Sequence, residues 1–314
     1  MARIVKFLFV KAINWLDLRN NTLTTYRVKS LEINHDLISR NSRIFSRYTN
    51  VGIVIQGQII PNLTLKICAR YKSLYPNANI VVSTWEDQRK GDVDQIRHLG
   101  VYLIENKLPK HAGPANVNLQ IASTKAGIEF CAAKGSEYIL KNRSDGCLSS
   151  DYFLQYLMFL FDSYTLNGNR IVVPSYNSFL FRLYSPSDQF QFGTLEDLRF
   201  FWDCNFVNER TKDFRFAESY LLRNYLSRKG IEVKNTIEDS LAVYRDHFIV
   251  AENSELGLVL NKGTKQEVSN RWANDGFPQP MSEMRFWHWL DLQKDLSAYL
   301  SHYEGLPFRP VSGI

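Results

Sequence analysis

Residues 51–57, VGIVIQG, form a short apolar run that ends in Gly57, with Pro61 four residues further on. An apolar run of this length, bounded by turn-forming residues, predicts a strand that is buried on both faces. Residues 63–75, LTLKICARYKSLY, then place apolar side chains at helical spacing, and residues 79–85, NIVVSTW, form a second apolar run. This strand–helix–strand order predicts two parallel strands joined by a helix that crosses one face of a sheet.

The same alternation continues along the chain. Further strands are predicted at 101–105, 137–141 and 170–174, and helices at 117–134, 152–161, 194–203 (with Thr194 as N-cap), 214–229 and from the segment 281–292. The order predicts an α/β fold: a mostly parallel central sheet flanked by helices, followed by a helical C-terminal part.

The composition is that of a folded chain, with 314 residues, of which 45% are hydrophobic and 22% charged. These values exclude a disordered, collagen-like or disulfide-stapled protein. The four cysteines (Cys68, Cys131, Cys147, Cys204) form no CxxC pair and no zinc-finger spacing. They predict reduced thiols and hence a cytosolic location.

The formal net charge of +6 is concentrated in residues 1–50, which hold nine Lys and Arg against three Asp and Glu. Each such cation near anionic lipid contributes about 1 kcal/mol of binding. The segment therefore predicts either a peripheral contact with the inner membrane or a solvated N-terminal subdomain. No aromatic-plus-basic sheet motif accompanies the charge, so no nucleic-acid partner is expected.

Polar residues follow three predicted strands at the point where each strand ends: Gln56 and Gly57, Glu86 and Asp87, and Arg143 and Asp145. Ligands of open parallel sheets bind at the carboxyl ends of the strands. A carboxylate there can hold a divalent cation, and an adjacent arginine can donate paired hydrogen bonds to phosphate. The sequence Ser-Asp-Gly after a strand is equally an ordinary turn.

The sequence lacks the motifs that are typical of several enzyme classes. It contains no GxGxxG after the first strand, no GxxxxGK[ST], no GxSxG and no HExxH. A glycine-rich dinucleotide site, a Walker-type phosphate loop, a serine hydrolase of the α/β type and a zinc hydrolase are therefore disfavoured.

The chain resembles the WavE lipopolysaccharide synthesis family of bacterial glycosyltransferases. The resemblance is carried by ordered blocks between 51 and 290: VGIVIQG (51–57), STWED (83–87), NLQIASTKAGIEF (118–130), ILKNRSD (139–145), VVPSYNSFLFR (172–182), DQFQFGTLEDL (188–198), AESYL (217–221) and the region 238–250. It implies a GT-A-like fold with a nucleotide-sugar half (51–150) and an acceptor half (151–290), preceded by the basic segment 1–50 and followed by a C-terminal helix and tail (291–314).

The resemblance also implies an activity and the residues for it. The enzyme would move a sugar from a nucleoside-diphosphate donor, UDP-linked, to lipopolysaccharide or another surface glycan, with Mn²⁺ or Mg²⁺. In GT-A transferases the metal motif is usually D-x-D, and here it reads Arg143-Ser144-Asp145 with Asp145 as the metal ligand. Donor-binding roles fall on Gln56, Gly57, Glu86, Asp87, Asn118, Thr124, Lys125 and Arg143.

Inverting transfer needs a carboxylate that takes the proton of the acceptor hydroxyl. Glu218, in the first turn of a predicted helix, is the candidate, with Asp188 in reserve. The aromatic residues of 176–202 offer either stacking faces for a sugar acceptor or core packing. His247 is either a metal ligand or a core histidine. Two other functions stay open: a nucleotidyltransferase and a non-catalytic glycan-binding protein of the same fold.

Overall fold

The structure is a computed structural model that describes residues 48–165, 170–207, 216–260 and 283–301. The predicted basic segment, residues 1–50, lies outside these ranges except for its last three residues. Of the predicted C-terminal helix and tail, residues 291–301 are described.

The described ranges contain the following strands and helices. The strands are β1 (Val51–Gln56), β2 (Asn79–Trp85), β3 (Tyr102–Asn106), β4 (Tyr138–Arg143), β5 (Gly146–Leu148), β6 (Ile171–Pro174), β7 (Phe190–Thr194), β8 (Phe248–Ala251) and β9 (Leu258–Leu260). The helices are α1 (Leu63–Leu74), α2 (Lys90–His98), α3 (Val117–Ala133), α4 (Phe153–Tyr164), α5 (Leu195–Trp202), α6 (Ala217–Arg228), α7 (Ile237–His247), α8 (Asn253–Leu256), α9 (Phe286–Lys294) and α10 (Leu296–Ser301).

Seven of the strands form one sheet in the order β3-β2-β1-β4-β7-β6-β8. The pairs β1–β2, β2–β3, β1–β4 and β6–β8 are parallel, whereas β7 is antiparallel to both β4 and β6. The prediction of an α/β fold with a mostly parallel sheet flanked by helices is confirmed. Because β4 pairs directly with β7, the sheet runs without interruption across the predicted boundary at residue 150.

Helix α3 covers the middle of the sheet at very close range. A Cβ atom added to Gly127 would lie 2.3 Å from Cγ1 of Val54, so only glycine lets α3 approach β1 this closely. Side chains alternate along a strand, so Gln56 lies on the same α3-facing side of β1 as Val54. Arg143 is the register partner of Gln56 on β4 and therefore lies on that side too.

The predicted elements agree with the structure to within a few residues, and Thr194 is confirmed as the N-cap of α5, since its side chain accepts from Asp197 N. The sequence patterns do not predict β7, β8, α2 or α7, among other short elements. The aromatic residues Phe190, Phe192 and Trp202 are fully buried, so they belong to the core and offer no stacking face to an acceptor. In the part of the chain that the structure describes, no helix has the length and apolar character needed to cross a membrane.

Candidate active site

The guanidinium of Arg143 lies among three carboxylates at the carboxyl end of β4. Its Nε and Nη2 donate to the two oxygens of Asp145 at 2.8 and 2.9 Å, and its Nη1 lies 3.6 Å from Oδ2 of Asp188. Burial lowers the pKa of Arg143, but the charges of Asp188, Asp145 and Glu218 outweigh it, so that the pKa lies above its ordinary value. We call Arg143, Asp145, Asp188 and Glu218 the Arg143 cluster.

Strand pairing places two members of this cluster. The backbone N–H of Arg143 donates to the carbonyl of Gln189 at 3.3 Å, which draws the segment before β7 against the end of β4. The ammonium of the buried Lys141 donates to the carbonyl of Asp188 and lies 4.8 Å from the ring centroid of Trp202. Asp188 is consequently almost inaccessible, with 3% of its side chain exposed.

Glu218 reaches the cluster from the first turn of α6, where the helix dipole favours a negative charge. Its Oε1 accepts a hydrogen bond from Nδ2 of Asn177 at 2.5 Å and lies 3.7 Å from Nη2 of Arg182. The side chain keeps 13% of its surface exposed, so a substrate can reach it more easily than it can reach Asp188.

Gln56 is paired with Arg143 on the neighbouring strand, and Gly57 and Thr124 lie next to Gln56. Ser144 N donates to the carbonyl of Gln56 at 2.9 Å, and Thr124 Oγ1 lies 3.5 Å from Oε1 of Gln56. Gly57 has φ +120°, and a Cβ at that position would lie 2.8 Å from Oγ of Ser144, so both its conformation and its surroundings require glycine. The structure therefore brings these three donor-site candidates together with Arg143.

Glu86 and Asp87 follow β2 at the same edge of the sheet and are exposed. The loop they begin is tied to the loop after β1, because Oε1 of Gln88 accepts from Ile59 N at 2.8 Å. Both carboxylates therefore border the edge at which β1 ends, although no hydrogen bond joins them to the Arg143 cluster among the described contacts.

Asn118 and Lys125 are engaged elsewhere. The amide of Asn118 donates to the carbonyls of His111 and Val207 and accepts from Val207 N, at 3.1, 2.6 and 2.8 Å, so its side chain fastens the start of α3 to the backbone. Lys125 forms an ion pair with Asp203 at 2.7 Å, at the rim of a surface cavity of about 460 Å³. The residues that line this cavity include none of the Arg143 cluster.

The donor atoms at Asp145 do not fit a preformed divalent-cation site. Both carboxylate oxygens already accept from Arg143, and within the described ranges no group of three or more His, Cys, Asp or Glu side chains is placed to hold a metal ion. His247 packs against the ring of Tyr225 at 5.8 Å, and burial lowers its pKa, as for a core histidine. The cation at Asp145 stays a prediction.

A family model described as "WavE lipopolysaccharide synthesis" matches residues 51–247. The chain belongs to the WavE family. The matched range contains the whole Arg143 cluster together with Gln56, Gly57 and Thr124. No curated protein matches the chain at a significant level.

Many solved structures are similar to the chain of this WavE protein, among them two that share low identity with it. One is a cytidylyltransferase from Leptospira borgpetersenii, 13% identical, with 80% of this chain and 96% of that chain covered and a TM-score of 0.40. Another is glucosyl-3-phosphoglycerate synthase from Mycobacterium tuberculosis in complex with Mn²⁺, UDP and phosphoglyceric acid, 10% identical, with 90% and 86% covered and a TM-score of 0.40. A TM-score of 0.40 is too low to transfer an activity to the WavE chain.

Two cations next to the cluster, Lys141 and Arg182, are not predicted as site residues by the sequence patterns. Arg182 interrupts the apolar run 179–184, whereas Lys141 ends the run 138–140, and both side chains are almost completely buried. A lone cation inside an apolar run signals a buried charge that needs a partner. The identity of that partner depends on tertiary contacts, so only the structure shows it.

Proposed function

We propose that this WavE chain is a glycosyltransferase that moves a sugar from a nucleoside-diphosphate donor to lipopolysaccharide or another surface glycan. The observation that carries the proposal is the Arg143 cluster, which lies beside Gln56 at the carboxyl edge of the sheet in a chain of this family. An arginine fork suits the diphosphate of such a donor, and carboxylates suit the proton transfer that accompanies sugar transfer.

In this proposal the donor lies along the carboxyl ends of β1 and β4. Gln56 and Gly57 contact the nucleoside, while the buried Thr124 holds the side chain of Gln56. Glu86 or Asp87 lies at the base or ribose, and Arg143 exchanges its contact with Asp145 for the diphosphate. The expected donor is a UDP-linked sugar, accompanied by a Mn²⁺ or Mg²⁺ ion. Contact of the basic segment 1–50 with an anionic membrane would hold the enzyme near a lipid-linked acceptor.

Glu218 is proposed as the general base. The acceptor oxygen forms a bond to the anomeric carbon, the bond from that carbon to the diphosphate oxygen breaks, and the hydroxyl proton passes to the carboxylate of Glu218. Glu218 suits this role better than Asp188 because its side chain is the more accessible of the two.

A donor screen tests the proposal. UDP-, GDP- and CMP-sugars are incubated with the full chain and a lipopolysaccharide acceptor, once with Mn²⁺ and once with EDTA, and products are identified by NMR. We expect transfer from one donor, and a loss of kcat of about 10²-fold or more in Glu218→Gln with unchanged donor affinity. Glu238→Gln is the matched control, since Glu238 is an exposed first-turn acid on α7.

Two outcomes contradict the proposal. When the chain is given a nucleoside triphosphate and a sugar 1-phosphate instead, release of pyrophosphate with formation of a nucleotide-sugar indicates a nucleotidyltransferase. Glycan binding without any nucleotide affinity indicates a non-catalytic protein. Isothermal titration with each nucleotide-sugar separates the second outcome from a transferase whose acceptor is missing from the assay.

A further inference from the structure

We propose that Asn177 and Arg182 form a clamp that fixes one oxygen of Glu218 and leaves the other free for the acceptor proton. Arg182 is then a positioning residue of the transfer reaction. This inference rests on the proposed function, because it explains how Glu218, the proposed general base, is held in position.

The first support is the distribution of contacts over the carboxylate. The hydrogen bond from Asn177 Nδ2 and the ion pair with Arg182 Nη2 both fall on Oε1 of Glu218. Among the described residues, no hydrogen bond reaches Oε2 of Glu218. One oxygen is therefore anchored, whereas the other can accept a proton from a substrate hydroxyl.

The second support is the environment of Arg182. Only 1% of its side chain is exposed, and its guanidinium lies between the rings of Phe179 and Phe216, 4.3 and 4.4 Å from their centroids. A cation held between two ring faces loses its freedom to follow a mobile partner. Because Phe216 immediately precedes α6, the same packing fixes the guanidinium and the start of the helix that carries Glu218.

The third support is the backbone of Asn177, which has φ +63°. Asparagine tolerates this left-handed conformation better than most residues do. The backbone N–H of Asn177 donates to Oε1 of Glu283 at 3.3 Å, so the turn is anchored independently of Glu218. The anchored backbone of Asn177 therefore fixes the position of its side-chain amide next to the carboxylate of Glu218.

A purely structural ion pair would change stability alone, so the test needs kinetic readouts. Asn177→Gly removes the amide and still permits φ +63°, while Arg182→Met removes the charge and Arg182→Lys keeps it. We expect Asn177→Gly and Arg182→Met to lower kcat by about 10- to 100-fold, with the donor dissociation constant unchanged in isothermal titration. Arg182→Lys should recover part of the loss.

Asn235→Gly is the control for the glycine substitution. Asn235 also has a left-handed backbone, with φ +59°, but its side chain accepts from Arg223 on the surface. Wild-type kcat in Asn177→Gly, or an equal loss in Arg182→Lys and Arg182→Met, would overturn the clamp.

A second measurement needs no substrate and keeps the clamp separate from the proposed function. The melting temperatures of Glu218→Gln, Arg182→Met and the double variant form a cycle, and the clamp predicts that the double variant loses less than the two single losses combined. Additive losses would overturn the clamp whether or not any donor is turned over. Absence of transfer in the wild type, with a coupled cycle, would refute only the proposed function.

Discussion

Charge balance is the central property of individual residues at the site. Three cations, Lys141, Arg143 and Arg182, lie with three carboxylates, Asp145, Asp188 and Glu218, at the end of β4 and the start of α6. Most of these side chains are shielded from water. In such a buried environment an unpaired charge costs far more free energy than it does at the surface. These charges therefore depend on one another, and each substitution among them affects stability as well as function.

Substitutions of Arg143 test the paired hydrogen bonds that it donates to Asp145 and, in the proposal, to the diphosphate. Arg143→Met should lower the free energy of unfolding by about 2 kcal/mol, because Asp145 and Asp188 lose their common partner. Arg143→Lys should cost less stability, yet it should weaken nucleoside-diphosphate binding about tenfold, since an ammonium lacks the planar fork. Urea unfolding and isothermal titration measure the two effects. Equal nucleotide affinity in Arg143→Lys and the wild type would contradict the role of the fork.

His288 should make stability depend on pH. Burial lowers its pKa to about 4, and its Nδ1 accepts a hydrogen bond from Arg285 N at 3.0 Å, so the folded state holds the neutral ring. The unfolded chain binds this proton near pH 6.5, so stability is complete above that pH and falls as the pH decreases towards 4.

We expect a loss of about 1 kcal/mol between pH 7 and pH 5 from this residue, after allowance for solvent screening. His288→Gln keeps an acceptor at the third position of α9, as in a capping box, and removes the titration. Urea unfolding at both pH values should show a smaller loss in the variant. An identical pH dependence in the two proteins would show that another group is responsible.

At the scale of elements, the close packing of α3 on β1 sets the position of the donor-site candidates. Thr124 contacts Gln56 from α3, and Gly127 lies one turn further along the same helix, directly over Val54. A larger residue at 127 would push the helix away from the strand and separate Thr124 from Gln56.

A pair of glycine substitutions isolates this effect. Gly127→Ala should destabilise the protein by about 1–3 kcal/mol, because the added methyl group overlaps Val54. Gly91→Ala should instead stabilise it by about 0.5 kcal/mol, since Gly91 lies in α2 and an added Cβ meets no atom within 4 Å. Thermal unfolding of both variants measures the contrast. Equal effects at the two positions would refute the close approach of α3.

At the scale of the whole molecule, one sheet contains strands from both parts of the chain, residues 51–150 and 151–290. Strand β7 closes the exposed edge of β4, and α4 packs on α1, where the rings of Phe153 and Tyr71 are 4.9 Å apart. The two halves therefore share a core and an uninterrupted set of backbone hydrogen bonds.

The fragment 51–150 should not fold on its own for this reason. It would expose the edge of β4 and the apolar surface of α1 that α4 normally covers. We expect weak near-ultraviolet circular dichroism and no cooperative unfolding transition, in contrast to the full chain. A sharp transition in the fragment would mean that the first half is an independent domain.

The sequence by itself predicted most strands and helices of the first half, and it predicted that the candidate residues Gln56 and Arg143 follow strands at one edge of the sheet. Segments such as 51–57 and 79–85 are apolar enough to be strands in any compact structure, and the carboxyl ends of parallel strands meet at one edge. Strand β7 was missed because it pairs antiparallel with distant segments, so its conformation follows from its neighbours. The conformation of the segment 237–260 depends in the same way on its neighbours in the fold, so the sequence alone did not predict it.

Only the tertiary structure decided which charged groups meet. The sequence proposed Arg143, Asp145, Asp188 and Glu218 for separate roles. The structure places the three carboxylates around the guanidinium of Arg143. In the structure, the side chain of Asn118 forms hydrogen bonds with the backbone, and Lys125 forms an ion pair at the surface. Local patterns determine secondary structure through periodicity, whereas the partner of a buried charge is set by chain segments that lie far apart in sequence and meet only when the sheet has formed.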